Sequence, residues 1–538
     1  MDADLVLLGG RVWCGAGTRG THALVVAGGR VVALGDDALA LRAGAREVVD
    51  LAGGLALPAF GDGHVHPPQA GLEESGPAIR EATSVDGVAA AVRAWALRHP
   101  QVEWIVAGSY DPSLAPGGRF DARWLDAAVP DRPVVLRAAD YHTVWCNSEA
   151  LRRAGVDAST PDPAIGWIER RDDGSPLGTL REWQACDLVL DAAPPPTAAD
   201  REAALALATR RLAQVGITWV QDAWVDLSTG VLEAWLALAG RGQLDVRAGL
   251  ALRADPLRWR DQLGEFADAR SRVAAGGAGQ VVAGTVKFFA DGVVEGGTAA
   301  LLEPYADDAC SRGMPVWDWR ELDGAAAAFD ALGFQLHVHA IGDAGIRAAL
   351  DAVEHVAQVN GARDRRPVVA HTQVVHPDDL PRFAALGVVA NVEPLWAQRD
   401  GVMTELTEPR LGAERSAWQY RMASLLRAGA RLSFGSDWPV SSPVPLEGIR
   451  VAVTRTTLDG DPPGGWLPGE RLTLEQALTA YTAGVGHQSF EDDRGTLLPG
   501  ARADVVLFDR DVFAAPPEAV HEARVVGTWS ADRWTSRT

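Results

Sequence analysis

Two histidines two positions apart give the strongest chemical signal in the sequence. His64 and His66 lie in GDGHVHP, residues 61–67, at the end of an apolar run. On a β-strand, residues i and i+2 point to the same side, so both imidazoles would face one space. Two imidazoles aimed into one space supply half of a metal site. The alternative interpretation is a pair of solvent-exposed loop histidines beside Pro67.

Other residues that bind metals or move protons occupy matching places. Each comes near the end of an apolar segment: Lys287 in GTVKFFADG, His339 in FQLHVHAIGD, His371 in RPVVAHTQ and Asp437 in LSFGSDWP. Random scatter would not place such residues at the ends of four separate strands. In a (β/α)₈ barrel, the C-terminal strand ends meet at one face and carry the catalytic groups. The pattern therefore predicts one site built from several strand ends.

Strands and helices alternate through the middle of the chain. Helical stretches such as GAAAAFDALG, AGIRAALDAVEHV and PDDLPRFAALG lie between strand candidates at 216–223, 246–253, 284–292, 334–343, 366–373, 387–394 and 431–439. This alternation indicates parallel strands joined by crossover helices. Seven or eight such units indicate a barrel rather than an open sheet. We therefore predict an α/β fold with a (β/α)₈ barrel.

The two ends of the chain differ from the middle in their sequence pattern, because they consist of short apolar strands broken by glycine pairs. We expect these ends to meet in one small β-domain. The segment from about 70 to 195 is rich in Pro, Gly and Trp and interrupts the alternation, so it predicts an insertion that walls the active site. The predicted limits are 1–58 and 491–538 for the β-domain, 59–69 for the first barrel strand, 70–195 for the insertion and 196–490 for the rest of the barrel.

Composition narrows the class of protein. The formal net charge of −21 argues against nucleic acid and anionic membranes as partners. The four cysteines are far apart and form no CxxC pair, which is typical of a reducing compartment. The N-terminus has no signal-peptide pattern, and no apolar run is long enough to span a membrane. We expect a cytoplasmic protein that acts on a small molecule.

Longer motifs resemble a known family over nearly the whole chain. They are GHVHP, VKFFADGVVEGGTAALLEPY, HAIGDAGI, AHTQVVHPDDLPRFAALGVVANVEP, GSDWPVSSPVPLEGI, RPVVLRAADYHTVWCNSEAL and the closing GARADVVLFD. Together they resemble the amidohydrolase superfamily, in particular the branch that includes the N-substituted formamide deformylases. The resemblance implies a metal-binding barrel, a small β-sandwich from both termini and an inserted substrate domain. It also implies hydrolysis of a carbon–nitrogen bond in a small amide, an N-acyl or N-formyl amine.

The resemblance further implies a ligand set. His64 and His66 would bind the more buried of two metal ions, and His339 and His371 would bind the second. The spacing alone does not choose between His339 and His337, two residues earlier, and the HAIGD motif selects His339. We interpret His337 as a hydrogen-bonded core histidine.

Lys287 and Asp437 complete the implied site. Lys287 would be carboxylated and bridge both ions, since burial shifts a lysine toward the neutral amine that carboxylation needs. Its alternative is an ion pair with Asp291 or Glu295. Asp437 would be a metal ligand and would take the proton from the metal-bound water. Its alternative is a helix N-cap.

Substrate-binding residues are harder to predict. We expect His142 and Asn147 from the insertion, together with Tyr110 and Trp438, to line the pocket. Packing is the stronger interpretation for most of the 19 tryptophans. Glu393 either alters substrate preference or pairs with an arginine such as Arg399.

Several alternatives remain at this point. The same site could act on a cyclic amide, deaminate a substrate or open a lactone, because a fold does not determine its chemistry. A non-catalytic small-molecule binding protein is a third hypothesis. Zinc is the default metal, as one or two ions, although Mn, Fe or Co would suit the same ligands. A homodimer is the common assembly for enzymes of this kind.

Overall fold

The structure is a computed structural model and describes residues 3–538. Its strands are β1 (Ala3–Val12), β2 (Thr21–Ala27), β3 (Arg30–Leu34), β4 (Ala45–Asp50), β5 (Leu55–Pro58), β6 (Phe60–Val65), β7 (Ile105–Tyr110), β8 (Val134–Ala138), β9 (Thr143–Cys146), β10 (Trp167–Arg170), β11 (Pro176–Arg181), β12 (Ile217–Val225), β13 (Arg247–Arg253), β14 (Val281–Phe289), β15 (Gln335–Ala340), β16 (Val368–His371), β17 (Val389–Val392), β18 (Arg431–Phe434), β19 (Asp504–Phe508), β20 (Val525–Ser530) and β21 (Arg533–Arg537).

The α-helices are α1 (Gly35–Ala40), α2 (Pro67–Glu74), α3 (Val85–Arg98), α4 (Ala122–Asp126), α5 (Ser148–Ala154), α6 (Trp183–Leu190), α7 (Ala198–Gln214), α8 (Val231–Gly240), α9 (Trp259–Gly276), α10 (Trp319–Ala331), α11 (Asp343–Asn360), α12 (Leu380–Ala385), α13 (Glu408–Ser416), α14 (Met422–Arg427), α15 (Pro445–Thr454), α16 (Leu474–Thr479) and α17 (Val485–Gln488). Within residues 3–538, none of the helices has both the length and the apolar character that crossing a membrane requires.

Eight parallel strands form the central sheet, in the order β6, β12, β13, β14, β15, β16, β17, β18. The first and last strands of this order meet through two backbone hydrogen bonds. The Asp437 N–H donates to the His64 carbonyl at 2.7 Å, and the His66 N–H donates to the Trp438 carbonyl at 2.9 Å. The sheet is therefore a nearly closed barrel, and the predicted (β/α)₈ fold is confirmed.

The barrel strands and the helices around them form one apolar core. β6, β15, β16 and β17 are buried along their whole length, as expected for parallel strands that helices cover. On α11, the buried residues recur at helical spacing, for example at Ile346, Leu350 and Val353. The tight packing around the strands keeps their C-terminal ends, and the side chains that follow them, in fixed positions.

Both termini contribute strands to a second sheet. Its order is β21, β20, β19, β5, β1, β2, β3, and β4 also pairs with β1. β5 pairs with β1 on one side and with β19 on the other. Apolar side chains from both ends of the chain share one cluster, which includes Leu5, Leu24, Val505 and Trp529. The expected meeting of both ends in one sheet is confirmed, and the limits 1–58 and 491–538 of a β-domain stay a prediction.

Between β6 and β12 the chain forms a third sheet, in the order β10, β11, β9, β8, β7. It has apolar clusters of its own, one of them around Phe120, Leu136 and Trp145. The limits of this insertion as a domain, 70–195, stay a prediction.

Candidate active site

A cavity of about 550 Å³ lies where the barrel strands end. All of the side chains predicted from the strand ends line it, namely His64, His66, Lys287, His339, His371 and Asp437. The insertion supplies another part of the wall, through Arg137, Tyr141, His142 and Trp183. The barrel and the insertion therefore share one cavity.

Three buried side chains form a compact cluster on the barrel side of this cavity. One nitrogen each of His64 and His66 and one carboxylate oxygen of Asp437 all lie within 4.8 Å of one another. His64 and His66 reach the cluster from the end of β6, and Asp437 reaches it from the segment after β18. The two backbone hydrogen bonds that close the barrel hold these segments side by side. Barrel closure therefore builds the cluster.

His66 and Asp437 meet at a close contact inside the cluster. Nε2 of His66 and Oδ1 of Asp437 are 2.9 Å apart, yet Oδ1 is buried without a hydrogen-bond partner. Leaving a buried acceptor unpaired costs about 1–3 kcal/mol. Imidazole and carboxylate lone pairs that converge on one space are the donor set of a divalent metal ion. These side chains therefore fit a metal ion.

The protonation states agree with ligand roles. Burial, with help from Lys287 and the neighbouring histidines, lowers the pKa of His64 well below its ordinary value, so its imidazole is neutral. Burial raises the pKa of a carboxyl group, but the close His66 imidazole outweighs this and holds the pKa of Asp437 below its ordinary value. A neutral imidazole and an ionised carboxylate are the forms that bind metal.

Lys287, on β14, reaches the same cluster. Its Nζ lies 3.2 Å from Nε2 of His64, and the side chain is fully buried. Burial lowers the pKa of Lys287 to about 7. Within residues 3–538 it makes no ion pair with Asp291 or Glu295, since Asp291 instead accepts the backbone N–H groups of Ala300, Ile341 and Gly342. Lys287 is also the only lysine in the chain.

His337 and Asp62, two buried residues without a predicted metal role, hold His64 in position. Nε2 of His337 lies 2.9 Å from Nδ1 of His64, which leaves Nε2 of His64 for the cluster. Asp62 accepts the backbone N–H of His64 at 3.2 Å. It also accepts two hydrogen bonds from Ser436, one from the backbone N–H at 3.0 Å and one from the side-chain O–H at 2.5 Å. Asp62 thereby ties the ends of β6 and β18 together. Its place in GDGHVH is the only sequence signal for it.

His339 and His371 lie on the adjoining part of the wall, outside the three-residue cluster. Their ring centroids are 4.5 Å apart, and that of His371 is 4.7 Å from His64. Nε2 of His339 lies 3.2 Å from the Gly292 carbonyl oxygen, so Nδ1 is the nitrogen left for a ligand. Nδ1 of His371 lies 2.9 Å from Oε2 of Glu393, which leaves Nε2. Burial lowers the pKa of His371 to about 3.

Glu393 has a different partner from the arginine that the sequence suggested. Its carboxyl group is fully buried against His371, while Arg399 pairs with Glu408 at 2.9 Å. Of the two alternatives for Glu393, pairing with Arg399 is therefore wrong, and a role in substrate preference stays a prediction. Burial, together with Asp437, raises the pKa of Glu393 well above its ordinary value. A group that bonds the far nitrogen of an imidazole fixes its tautomer and orientation.

Of the four predicted substrate-binding residues, the structure brings only His142 to the cavity wall. Asn147 is fully buried and caps α5, where Oδ1 accepts the Ala150 N–H at 2.9 Å. Tyr110 packs in the insertion core against Phe120 and Trp145. Trp438 is not among the lining residues, and its backbone carbonyl serves barrel closure. The structure therefore places these three side chains outside the cavity wall, Asn147 because it caps a helix and Tyr110 because it packs in the core of the insertion.

His142 has a buried acidic partner. Its Nδ1 lies 2.9 Å from Oε2 of Glu182, which is also buried. Burial alone would lower the pKa of His142, but the charge of Glu182 and the hydrogen bond to it raise the pKa to about 9. The sequence does not indicate this role of Glu182, because no spacing rule connects two residues so far apart in the chain.

Aromatic rings form the adjacent wall. Trp183 and Trp224 each pack edge-on against Phe289, with ring centroids 4.5 and 5.0 Å away. The Arg253 guanidinium lies over both tryptophans and pairs with Asp226 at 3.3 Å. This wall suits a flat apolar group.

Comparisons with known proteins agree with these features. The model of the amidohydrolase family matches residues 47–535. Protein LONG AFTER FAR-RED 3 of Arabidopsis thaliana is 31% identical over 489 residues, covering 87% of this chain and 81% of that protein. The N-substituted formamide deformylase of Arthrobacter pascens is 27% identical over 530 residues, covering 94% of this chain and 93% of that protein.

A solved structure is also similar. An uncharacterized metal-dependent hydrolase from Pyrococcus furiosus has a TM-score of 0.71 and 26% sequence identity, and the match covers 94% of this chain and 99% of that one. The family resemblance of the motifs is thus confirmed. The chain belongs to the amidohydrolase family of metal-dependent hydrolases, enzymes that act on carbon–nitrogen bonds.

Proposed function

We propose that this protein hydrolyses the amide bond of a small N-acyl or N-formyl amine, with a divalent metal ion, zinc by ligand type, held by His64, His66 and Asp437. The observation that carries the proposal is the buried cluster of two imidazole nitrogens and one carboxylate oxygen, all within 4.8 Å of one another, in which Oδ1 of Asp437 has no hydrogen-bond partner. The similarity to an N-substituted formamide deformylase over most of both chains supports the substrate class.

Proton transfer is the task of Asp437. A divalent ion bound at the cluster would lower the pKa of a water molecule toward about 7 and polarise the amide carbonyl. The ionised Asp437 carboxylate borders both the cluster and the cavity, so it accepts the proton of the attacking water. The same carboxyl group then donates this proton to the departing nitrogen. The amine leaves neutral, and Asp437 returns to its ionised form.

The insertion serves as the substrate domain in this proposal. Its Trp183 joins Trp224 and Phe289 of the barrel in the aromatic wall. An aromatic or branched apolar substituent on the amide nitrogen would be stabilised by that wall. The acyl group would then face the histidines.

The function is tested by metal analysis and a substrate panel. Protein purified with bicarbonate and without chelator is expected to carry about two divalent ions per chain and to release amine from N-aryl and N-benzyl formamides or acetamides. Cyclic amides, aminopurines and lactones form the comparison group. No metal, and no turnover after zinc or manganese is added, would favour a binding protein. Turnover of the comparison group alone would show that the protein acts on a different bond from the proposed amide bond.

We further propose that Lys287 carries a carbamate and joins His339 and His371 in binding a second ion. Protein loaded in ¹³C-bicarbonate is expected to show one side-chain carbamate signal by carbon-13 NMR. Because Lys287 is the only lysine, Lys287→Arg must abolish that signal. The variant should also lose about one of two ions per chain. A metal-loaded wild type with one ion and no carbamate signal would exclude this role.

A further inference from the structure

The pair formed by His142 and Glu182 is bonded at both the side chains and the backbone. Nδ1 of His142 lies 2.9 Å from Oε2 of Glu182, and the Glu182 backbone N–H donates to the His142 carbonyl at 2.7 Å. The exposed fraction is 6% for His142 and 2% for Glu182. Two such contacts fix the imidazole in one orientation.

Glu182 adopts a backbone conformation that is rare for a residue with a side chain. Its φ is 63° and its ψ is 163°, a strained region for a residue with a Cβ. Two glycines make room for it. A Cβ at Gly292 would lie 2.4 Å from Oε1 of Glu182, and one at Gly166 would lie 3.1 Å from its Cβ. The fold therefore accepts strain to hold this carboxylate under His142.

The imidazole of His142 faces the cavity beside the barrel histidines. Its ring centroid lies 5.4 Å from that of His339 and 5.6 Å from that of Trp183. Because Glu182 occupies Nδ1, Nε2 is the nitrogen that remains for a ligand in the cavity. His142 thus stands between the aromatic wall and the barrel histidines.

We propose that the Nε2–H of His142 donates a hydrogen bond to the acyl oxygen of the scissile amide, and that Glu182 is its positioning residue. This role rests on the proposed amide hydrolysis. As water adds to the carbonyl carbon, negative charge develops on the acyl oxygen, and a preorganised donor stabilises that charge. No proton is transferred in this contact, since Nε2 keeps its hydrogen. Asp437 remains the group that moves protons.

The test compares His142→Gln with wild type on formanilide, or on the amide of the panel that the wild type hydrolyses fastest. Removing one such donor is expected to lower kcat by about 10²–10³-fold. KM and metal content should change little, because the contact strengthens in the transition state. His99→Gln is the matched control, since His99 stacks on Trp95 elsewhere in the insertion. It should behave as wild type.

Glu182→Gln provides the second arm. Glutamine keeps the size and can still accept from Nδ1, so kcat should fall less than in His142→Gln. The Glu182→Gln variant also tests the proposed role of His142 if the His142→Gln variant does not fold. Because Glu182 acts through His142, the double variant should match His142→Gln alone.

The outcomes separate the two proposals. A wild-type kcat in His142→Gln, with amide hydrolysis intact, would overturn the role of His142 only. Additive losses in the double variant would overturn the positioning role of Glu182. Failure of the wild type on every amide would overturn the proposed function and this role with it.

Discussion

Asp437→Asn is expected to lower kcat by about 10²–10⁴-fold, the usual contribution of a positioned acid–base group. Asparagine is close to aspartate in size and keeps an oxygen toward His66, so metal content should stay nearly unchanged. It cannot accept a proton from water, and it cannot return one to the leaving nitrogen. Steady-state kinetics and elemental analysis on the same preparation measure both quantities.

Asp343→Asn is the control for the Asp437 variant. Asp343 is also a buried carboxylate, but it accepts the Leu302 N–H at 2.9 Å and does not line the cavity. Its kcat should remain near that of the wild type. An active Asp437→Asn enzyme with its full metal content would remove the general-base assignment.

His64→Ala is expected to abolish turnover and to lower metal content. The change removes one of three mutually close ligand atoms and leaves both His337 and Lys287 without their His64 contacts inside the barrel. Losing an outer partner of a ligand already costs about 10–100-fold in metal affinity, and losing a ligand should cost more. Titration with zinc followed by elemental analysis gives the affinity.

His376→Ala is the matched control variant for His64→Ala. His376 lies outside the cavity and accepts the Asp378 N–H at the start of a short turn. The variant should bind metal and turn over substrate like the wild type. Full metal content in His64→Ala would contradict the ligand role of His64.

The barrel and its strand-end residues could be predicted because they follow local patterns. Strand–helix alternation and the positions of Lys287, His339, His371 and Asp437 are properties of short segments. Barrel geometry then brings such ends together without further information. The residues that contact the site side chains do not follow such local patterns. Asp62 meets Ser436 and Glu182 meets His142 only after the chain has folded, and no spacing rule anticipates those contacts.

The wrong substrate assignments have local causes. Asn147 precedes SEAL at the start of a helix, and asparagine is a preferred N-cap, so the capping signal was present in the sequence. Tyr110 ends an apolar strand and remains in the core of the insertion. A polar side chain in an apolar segment can face a pocket or lie in the core, and the sequence does not distinguish the two cases before its neighbours are known.

The sheet built from both termini has a consequence for synthesis of the chain on the ribosome. β5 pairs with β19, which emerges near the end of translation. At about 5–20 residues per second, β5 waits roughly 20–90 s for this partner. Only after residue 437 has been added does the nascent chain hold His64, His66 and Asp437 together, and one edge of β5 is then still unpaired. An open strand edge is a template for pairing with other chains, so ribosome stalling before residue 504 favours aggregation over assembly of the site.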